Sequence, residues 1–497
     1  MMYLFSERDL IACAYLLLGL LLCGVFIHTR GAYFHPLSYF PGPPTASTSN
    51  FLYCYSFLRG RQPYDILSLH RKYGSAVRIA PNELSFNTAQ SWKDIYGFRK
   101  GHGPFIKSDF YDGGSYADQA HSIVSVRDPE EHKHMRRYIS PVFSDRSLTE
   151  QESLISESID SFIKKIGGER GKEGVELVTW FNMLTFDIIG NLAFGETFRG
   201  IETGNTHEWI SLVTGALKQG ALADTMKRFP MFSKLFRVLM PRKIKNLVRE
   251  TRIHEEYSLN LIKKRIANKT PRKDFMTNIL KTRDPCEVSD IQLAAHAADF
   301  ITAGSETTAT ALACITYYLL RTKEVNDRLR QEIRDSFEAY ESINNSSTAP
   351  LRYLNAVILE GLRIYPPLPL ALPRVVPDAG ATVDGHFIPG GTIVSTNPIA
   401  ACLSETNFKN PELFDPNRWL EGNTHDNLDA SQPFSLGARS CLGQSLAWME
   451  MRTTLAKIHY SYDLELLNED VEWQRDSRMH TLWIKPPLVV RVTTRSQ

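Results

Sequence analysis

Cysteine is scarce in this chain. Seven residues, Cys13, Cys23, Cys54, Cys286, Cys314, Cys402 and Cys441, are spread over 497 positions, and none forms a C-x-x-C pair. So sparse and odd a set argues against a disulfide scaffold, fits a reducing compartment and weakens any structural zinc reading. Net charge is nearly absent too. Lys and Arg number 57 against 55 Asp and Glu, so no bulk field points to nucleic acid. Internal repeats, long low-complexity tracts and the strand–helix alternation of a doubly wound fold are all missing. What is plentiful is apolar residue, 43% of the chain, enough for a large core.

Long uncharged runs are equally rare, and the exception comes first. Leu10 to Ile27 reads LIACAYLLLGLLLCGVFI. As a helix it would span roughly 27 Å, about one hydrocarbon core. A signal peptide is the weaker reading, because its apolar core is usually ~7–15 residues and is followed by a small-residue cleavage site. The expectation is a single-span transmembrane anchor over residues 1–30. Glu7, Arg8 and Asp9 precede the run, and His28 and Arg30 follow it, which favours a cytosolic globule. The sequence PGPP, Pro41 to Pro44, marks residues 31–50 as a stiff hinge. Residues 51–497 remain for the catalytic unit.

Val77 and Ile79, then Leu84 and Phe86, alternate around Pro81-Asn82 and read as a hairpin. Helical patterns dominate from about residue 148 to 365, for instance Val325, Leu329, Ile333 and Phe337 at i+4 steps. Strand signals return between Val383 and Val394, broken by Asp384-Gly385 and Gly390-Gly391. Leu442, Leu446 and Met449 begin another helix. The fold class expected is mainly α with small β-sheets, interwoven as a single domain.

The stretch FSLGARSCLG, Phe434 to Gly443, surrounds Cys441 with residues that sacrifice side-chain packing. A buried structural thiol, a nucleophile and a metal thiolate are the three readings. Gly437 and Gly443 allow tight turns and close approach. A helix starting after Cys441 would aim its positive end at the sulfur and favour thiolate. Arg439 can pair with an anion, and Phe434 can cover one side. Such a loop suits a haem, the sulfur taking the iron and the arginine a propionate.

F-x-x-G-x-R-x-C-x-G, with Phe434, Gly437, Arg439, Cys441 and Gly443 in place, resembles the cysteine-ligand signature of the cytochrome P-450 (haem-thiolate monooxygenase) family. Five further segments resemble motifs of that family. HKHMR, His132 to Arg136, stands where many members carry W-x-x-x-R, with histidine replacing tryptophan. AGSETT, Ala303 to Thr308, is similar to the oxygen-binding helix motif. EGLR, Glu360 to Arg363, and FDPNRW, Phe414 to Trp419, resemble the segments that form a buried Glu360–Arg363–Arg418 triad. LPR, Leu372 to Arg374, resembles a propionate-binding segment. Other stretches, AYFHPLSYFPGPP and LTFDIIGNLAFGETF, are similar to ascomycete secondary-metabolism enzymes of the trichothecene-hydroxylase-like group.

The resemblance implies the P-450 fold and haem b with Cys441 as its axial thiolate. It implies Arg136, Arg374 and Arg439 at the propionates, and Glu306 with Thr307 as proton relay. Electrons would come from NADPH through a separate P-450 reductase docking near Lys133, Arg137 and Arg452. O2 would be spent on oxidising an apolar terpenoid or polyketide, in an enzyme held on the endoplasmic reticulum membrane with no nucleic acid involved. An apolar cavity would be lined from Phe105 to Tyr116, Phe300 to Thr307, Leu368 to Leu372 and Met479 to Leu482. A haem-thiolate isomerase or dehydratase needing no O2, a cysteine hydrolase and a haem sensor are the alternatives.

Overall fold

Six helices position the site: α1 (Pro129–Ile139), α2 (Asp145–Ile166), α3 (Leu177–Phe194), α4 (Asp290–Arg321), α5 (Arg352–Ile364) and α6 (Gln444–Ser461). The computed structural model describes residues 29–495 apart from 100, 102, 115–119, 269–271, 285–286 and 423–424. Within the apolar run of the expected anchor, residues 10–27, only Tyr15, Gly19, Gly24 and Phe26 are described, so that expectation lies outside the described residues.

Side-chain caps start four of these helices. Asp128 accepts from Glu131 N, Ser144 from Ser147 N, Ser289 from Gln292 N, and Glu176 from the Val178 and Thr179 amides. Helix α3 is apolar all round. It is long enough to cross a bilayer, yet 89% of it is buried, as a core helix should be. It packs against α4 at close range. A Cβ on Gly304 would lie 3.1 Å from Ile189, and Thr185 Oγ1 donates to Ser305 O at 2.9 Å.

A five-stranded sheet draws on distant parts of the chain. Its strands are β1 (Ala76–Ala80), β2 (Glu83–Phe86), β3 (Ile106–Lys107), β4 (Arg374–Val375) and β5 (Ile393–Thr396), in the order β1-β2-β5-β4-β3. The β1–β2 hairpin forms where the alternation places it, with Val77 opposite Ser85. Alternation implies one solvated face, but every residue of both strands is buried. The reason is the segment expected to be a hinge. Leu37 is fully buried, Arg78 N donates to Pro41 O at 2.9 Å, and Arg78 Nη1 donates to Gly31 O at 2.9 Å. A second hairpin, β6 (Arg478–His480) with β7 (Leu482–Ile484), follows α6. Phe337 differs from its periodic expectation. The helix Lys323–Ser336 ends just before it, and Phe337 is buried from extended backbone instead.

Charge is buried at the C-terminal end of α5. Arg363 donates to both Glu360 oxygens at 2.8 and 2.7 Å, and to the carbonyls of Cys402, Pro411 and Leu413. Arg418 Nε reaches Glu360 Oε1 at 3.4 Å and pairs with Asp426 at 2.9 Å, while Trp419 Nε1 donates to Glu360 Oε2 at 2.9 Å. Glu360 and Arg363 are fully buried. Two loops are thus pinned to α5 through one carboxylate. Glu360→Ala would leave the fully buried Arg363 guanidinium without its carboxylate, at an expected cost of ~3–5 kcal/mol. Urea denaturation measures it, and a loss below ~1 kcal/mol would contradict a structural role for the network.

Candidate active site

The Cys441 loop is built by backbone constraints. Gly437 sits at φ +70°, where a Cβ would also run into the Tyr96 carbonyl oxygen, so only glycine fits. Cys441 N donates to Phe434 O at 2.9 Å, and Gly443 caps α6. The sulfur feels two favourable partners, the Gly443 N–H and the Arg136 guanidinium, but burial outweighs both and raises the thiol pKa. Yet Cys441 is exposed to solvent. An accessible thiol surrounded by protein is the floor of a cavity. A Cβ on Gly443 would project into open space.

Around this loop gather several cations. Arg374 is 4% exposed, lies against the rings of Tyr96 and Tyr111, and leaves Nη1 without a partner. Arg439 straps the loop to the segment before α1, donating to the Val126 and Arg127 carbonyls, both at 2.8 Å. Burial and then Arg374 push its pKa down to about 10. Lys107, on β3 beside Arg374, is pushed down to about 6 by burial and then by Arg439 and Arg374. His132 is driven to about 3 by burial and the same cations, so it is a neutral ring. Arg136 donates to Ser440 O at 2.9 Å and Ser440 Oγ at 3.3 Å, holding the residue before the cysteine. Among the described residues, Arg136, Arg374 and Arg439 form no ion pair.

The cytochrome P450 family model matches residues 41–492. The chain belongs to the cytochrome P450 family. It is 54% identical over 441 residues to the cytochrome P450 monooxygenase ORF11 of Penicillium roqueforti, covering 88% of this chain and 91% of that one. Identity to the cytochrome P450 monooxygenase BipB of Cochliobolus sativus is 43%, over 99% of both chains. The cytochrome P450DA heme domain, a crystal structure, superposes with a TM-score of 0.75 at 18% identity, covering 92% of this chain and 98% of that one. The chain is therefore an oxidoreductase of the P450 monooxygenase kind, with the mainly helical P450 fold.

This family implies a haem-thiolate cofactor, and the residues present fit one. The cavity floor carries a thiol, a glycine leaves space beside it, and an orphaned buried guanidinium nitrogen stands among cations that need anions. Haem carries two carboxylates.

The AGSETT segment of this P450 divides its work between faces of α4. Gly304 serves packing against Ile189 and opens no break; α4 is continuous. Ala303 is the exposed position in this otherwise buried stretch, and Thr307 Oγ1 donates to its carbonyl at 2.6 Å. Glu306 faces elsewhere. Its Oε2 accepts from Lys485 Nζ at 2.8 Å. Sequence reasoning missed Lys485, Lys107 and Glu450. Lys107 lies in a motifless stretch. Glu450 carried one signal, a carboxylate in the first turns of an apolar helix after the cysteine loop.

Glu450 on α6 is 2% exposed, with Oε2 unpartnered. Burial pushes its pKa up to about 8, a Thr308 hydrogen bond opposing. The folded state thus holds a proton that the unfolded chain releases above about pH 4.3. Stability is lost as pH rises from there to about 8, at up to ~1.4 kcal/mol per unit. Glu450→Gln should remove this slope. Urea midpoints compared across that range should diverge in favour of the variant as pH rises, and a pH-independent difference would contradict a neutral Glu450.

Proposed function

We propose that this P450 is a haem-thiolate monooxygenase whose Cys441 holds the iron of haem b and whose substrate is an apolar terpenoid or polyketide of fungal secondary metabolism. The observation that carries the reading is the accessible thiol beside a buried cation cluster in which Arg374 Nη1 has no hydrogen-bond partner. Haem bound there would supply the site at which O2 is activated.

The chain's own residues do the rest. The Gly443 amide and Arg136 stabilise negative charge on sulfur. Arg374 and Arg439 neutralise the propionates, with Phe434 covering the loop and Gly437 and Gly443 allowing the approach. Thr307, bonded to a helix carbonyl through its proton, is left free to accept from water, and Glu306 is the acid paired with it in the relay. Phe300, Leu368, Leu372, Met479 and Leu482 are apolar and exclude water from the substrate. Electrons arrive from NADPH through a separate reductase. Arg137 is exposed for that contact, whereas Lys133 is engaged by Glu130 and Arg452 by Asn355 and Trp448.

Residues 1–30 anchor the enzyme in the endoplasmic reticulum membrane by a single span, residues 31–50 lead from it, and residues 51–497 form the cytosolic catalytic unit. Exposed Phe51, Tyr55, Met231, Leu235 and Leu239 would add peripheral membrane contact.

The test is spectroscopic. Reduced protein with CO should show the red-shifted Soret band of thiolate ligation. Cys441→Ala should abolish it, and Cys402→Ala, which removes another thiol, should keep it. A thiolate spectrum from Cys441→Ala would overturn the assignment.

A further inference from the structure

We propose that Lys485 is a positioning residue that holds the Glu306 carboxylate ionised and turned away from Thr307, and so sets how protons reach the cavity. This rests on the relay role given to Glu306 above. Lys485 lies outside every motif. Its Nζ donates to Glu306 Oε2 at 2.8 Å and to Thr310 Oγ1 at 2.9 Å, and its side chain is 3% exposed. A buried ammonium is retained only where it is paired and hydrogen-bonded. Here both partners come from α4, one turn apart on the same face.

The backbone around Lys485 leaves it little freedom. β7 ends at the residue before it, and Pro486 and Pro487 follow. A residue preceding proline is held to extended backbone. Leu488 N then donates to Glu176 Oε1 at 2.9 Å, tying the segment to the start of α3. The ammonium therefore stands at a fixed place, and the carboxylate must leave it to serve Thr307. Neighbouring acids do not compete for Lys485. Glu176 is occupied by the Val178, Thr179 and Leu488 amides, and Glu450 faces Thr308 from α6. Because β7 pairs with β6, whose Met479 is fully buried beside the expected substrate region, Lys485 also links that hairpin to α4.

Removing the ammonium leaves a buried carboxylate unpaired, which favours its neutral form. Lys485→Met should therefore behave as Glu306→Gln does. The experiment uses the full-length, haem-loaded chain with reductase and NADPH and no added substrate. Infrared spectroscopy reads the carboxyl group, and the peroxide released per NADPH reads proton supply. Lys485→Met should show a protonated-carboxyl band at neutral pH that the wild type lacks and that Lys485→Met/Glu306→Gln loses. Its peroxide fraction should rise about threefold, to the Glu306→Gln level, with no further rise in the double variant. Lys485→Arg should recover part of the wild-type value, and Lys485→Gln replaces Lys485→Met if the latter fails to fold. A wild-type band and peroxide fraction in Lys485→Met, or additive effects in the double variant, would overturn the proposal. If Glu306→Gln leaves peroxide at the wild-type level, the relay reading falls and with it the consequence for protons. The band alone then decides whether Lys485 holds the carboxylate ionised.

Discussion

Positive charge crowded into a low-dielectric interior, with one buried guanidinium nitrogen left unpartnered, is the constraint on which this P450's site depends. Burial and then Arg374 lower Arg439, burial and then Arg439 and Arg374 lower Lys107, and Arg374 and Lys107 are buried. Such crowding is unfavourable by itself. It is tolerable because Arg439 spends its donors on three backbone carbonyls, and because His132 is neutral where a further cation would add repulsion. What remains unsatisfied, above all Arg374 Nη1, is a demand for an anion. The thiol on the same cavity floor makes the opposite demand, for a cation. One ligand with carboxylates at its rim and a metal at its centre meets both.

The scaffold keeps these groups in register by ion pairs that are complete. Glu360 gathers Arg363, Arg418 and Trp419 and pins the loops that precede the cysteine segment. β4 carries Arg374 and pairs with β3, which carries Lys107, so two cations from distant parts of the chain are fixed side by side. The tight α3–α4 contact at Gly304 holds α4 against α3. The supports of the site are thus fixed by paired and packed groups of the chain itself.

Local chemistry was legible in the sequence, and long-range partnership was not. Gly437 is legible because a positive φ and a carbonyl at contact distance leave one residue type. The β1–β2 hairpin is legible because a two-residue turn separates alternating runs. The burial of its outer face is not, because residues 31–50 reach it from outside any periodic pattern. Glu306 and Thr307 stand out as an acid beside an alcohol in a helix. Which way Glu306 faces depends on Lys485, 179 positions further on. Only the structure places Ile189 against Gly304. Asp426, the partner of Arg418, sits in a loop without a motif.

The claim that the interior is completed by an anionic cofactor is tested most directly by neutralising that cofactor's carboxylates. Protein produced under haem starvation would be titrated with haem and with its dimethyl ester, and the unfolding midpoint followed for each. The account predicts strong stabilisation by haem and a much weaker effect of the ester. It also predicts that Arg374→Met narrows the gap between them. Equal stabilisation by the two, in the wild type as in the variant, would contradict it.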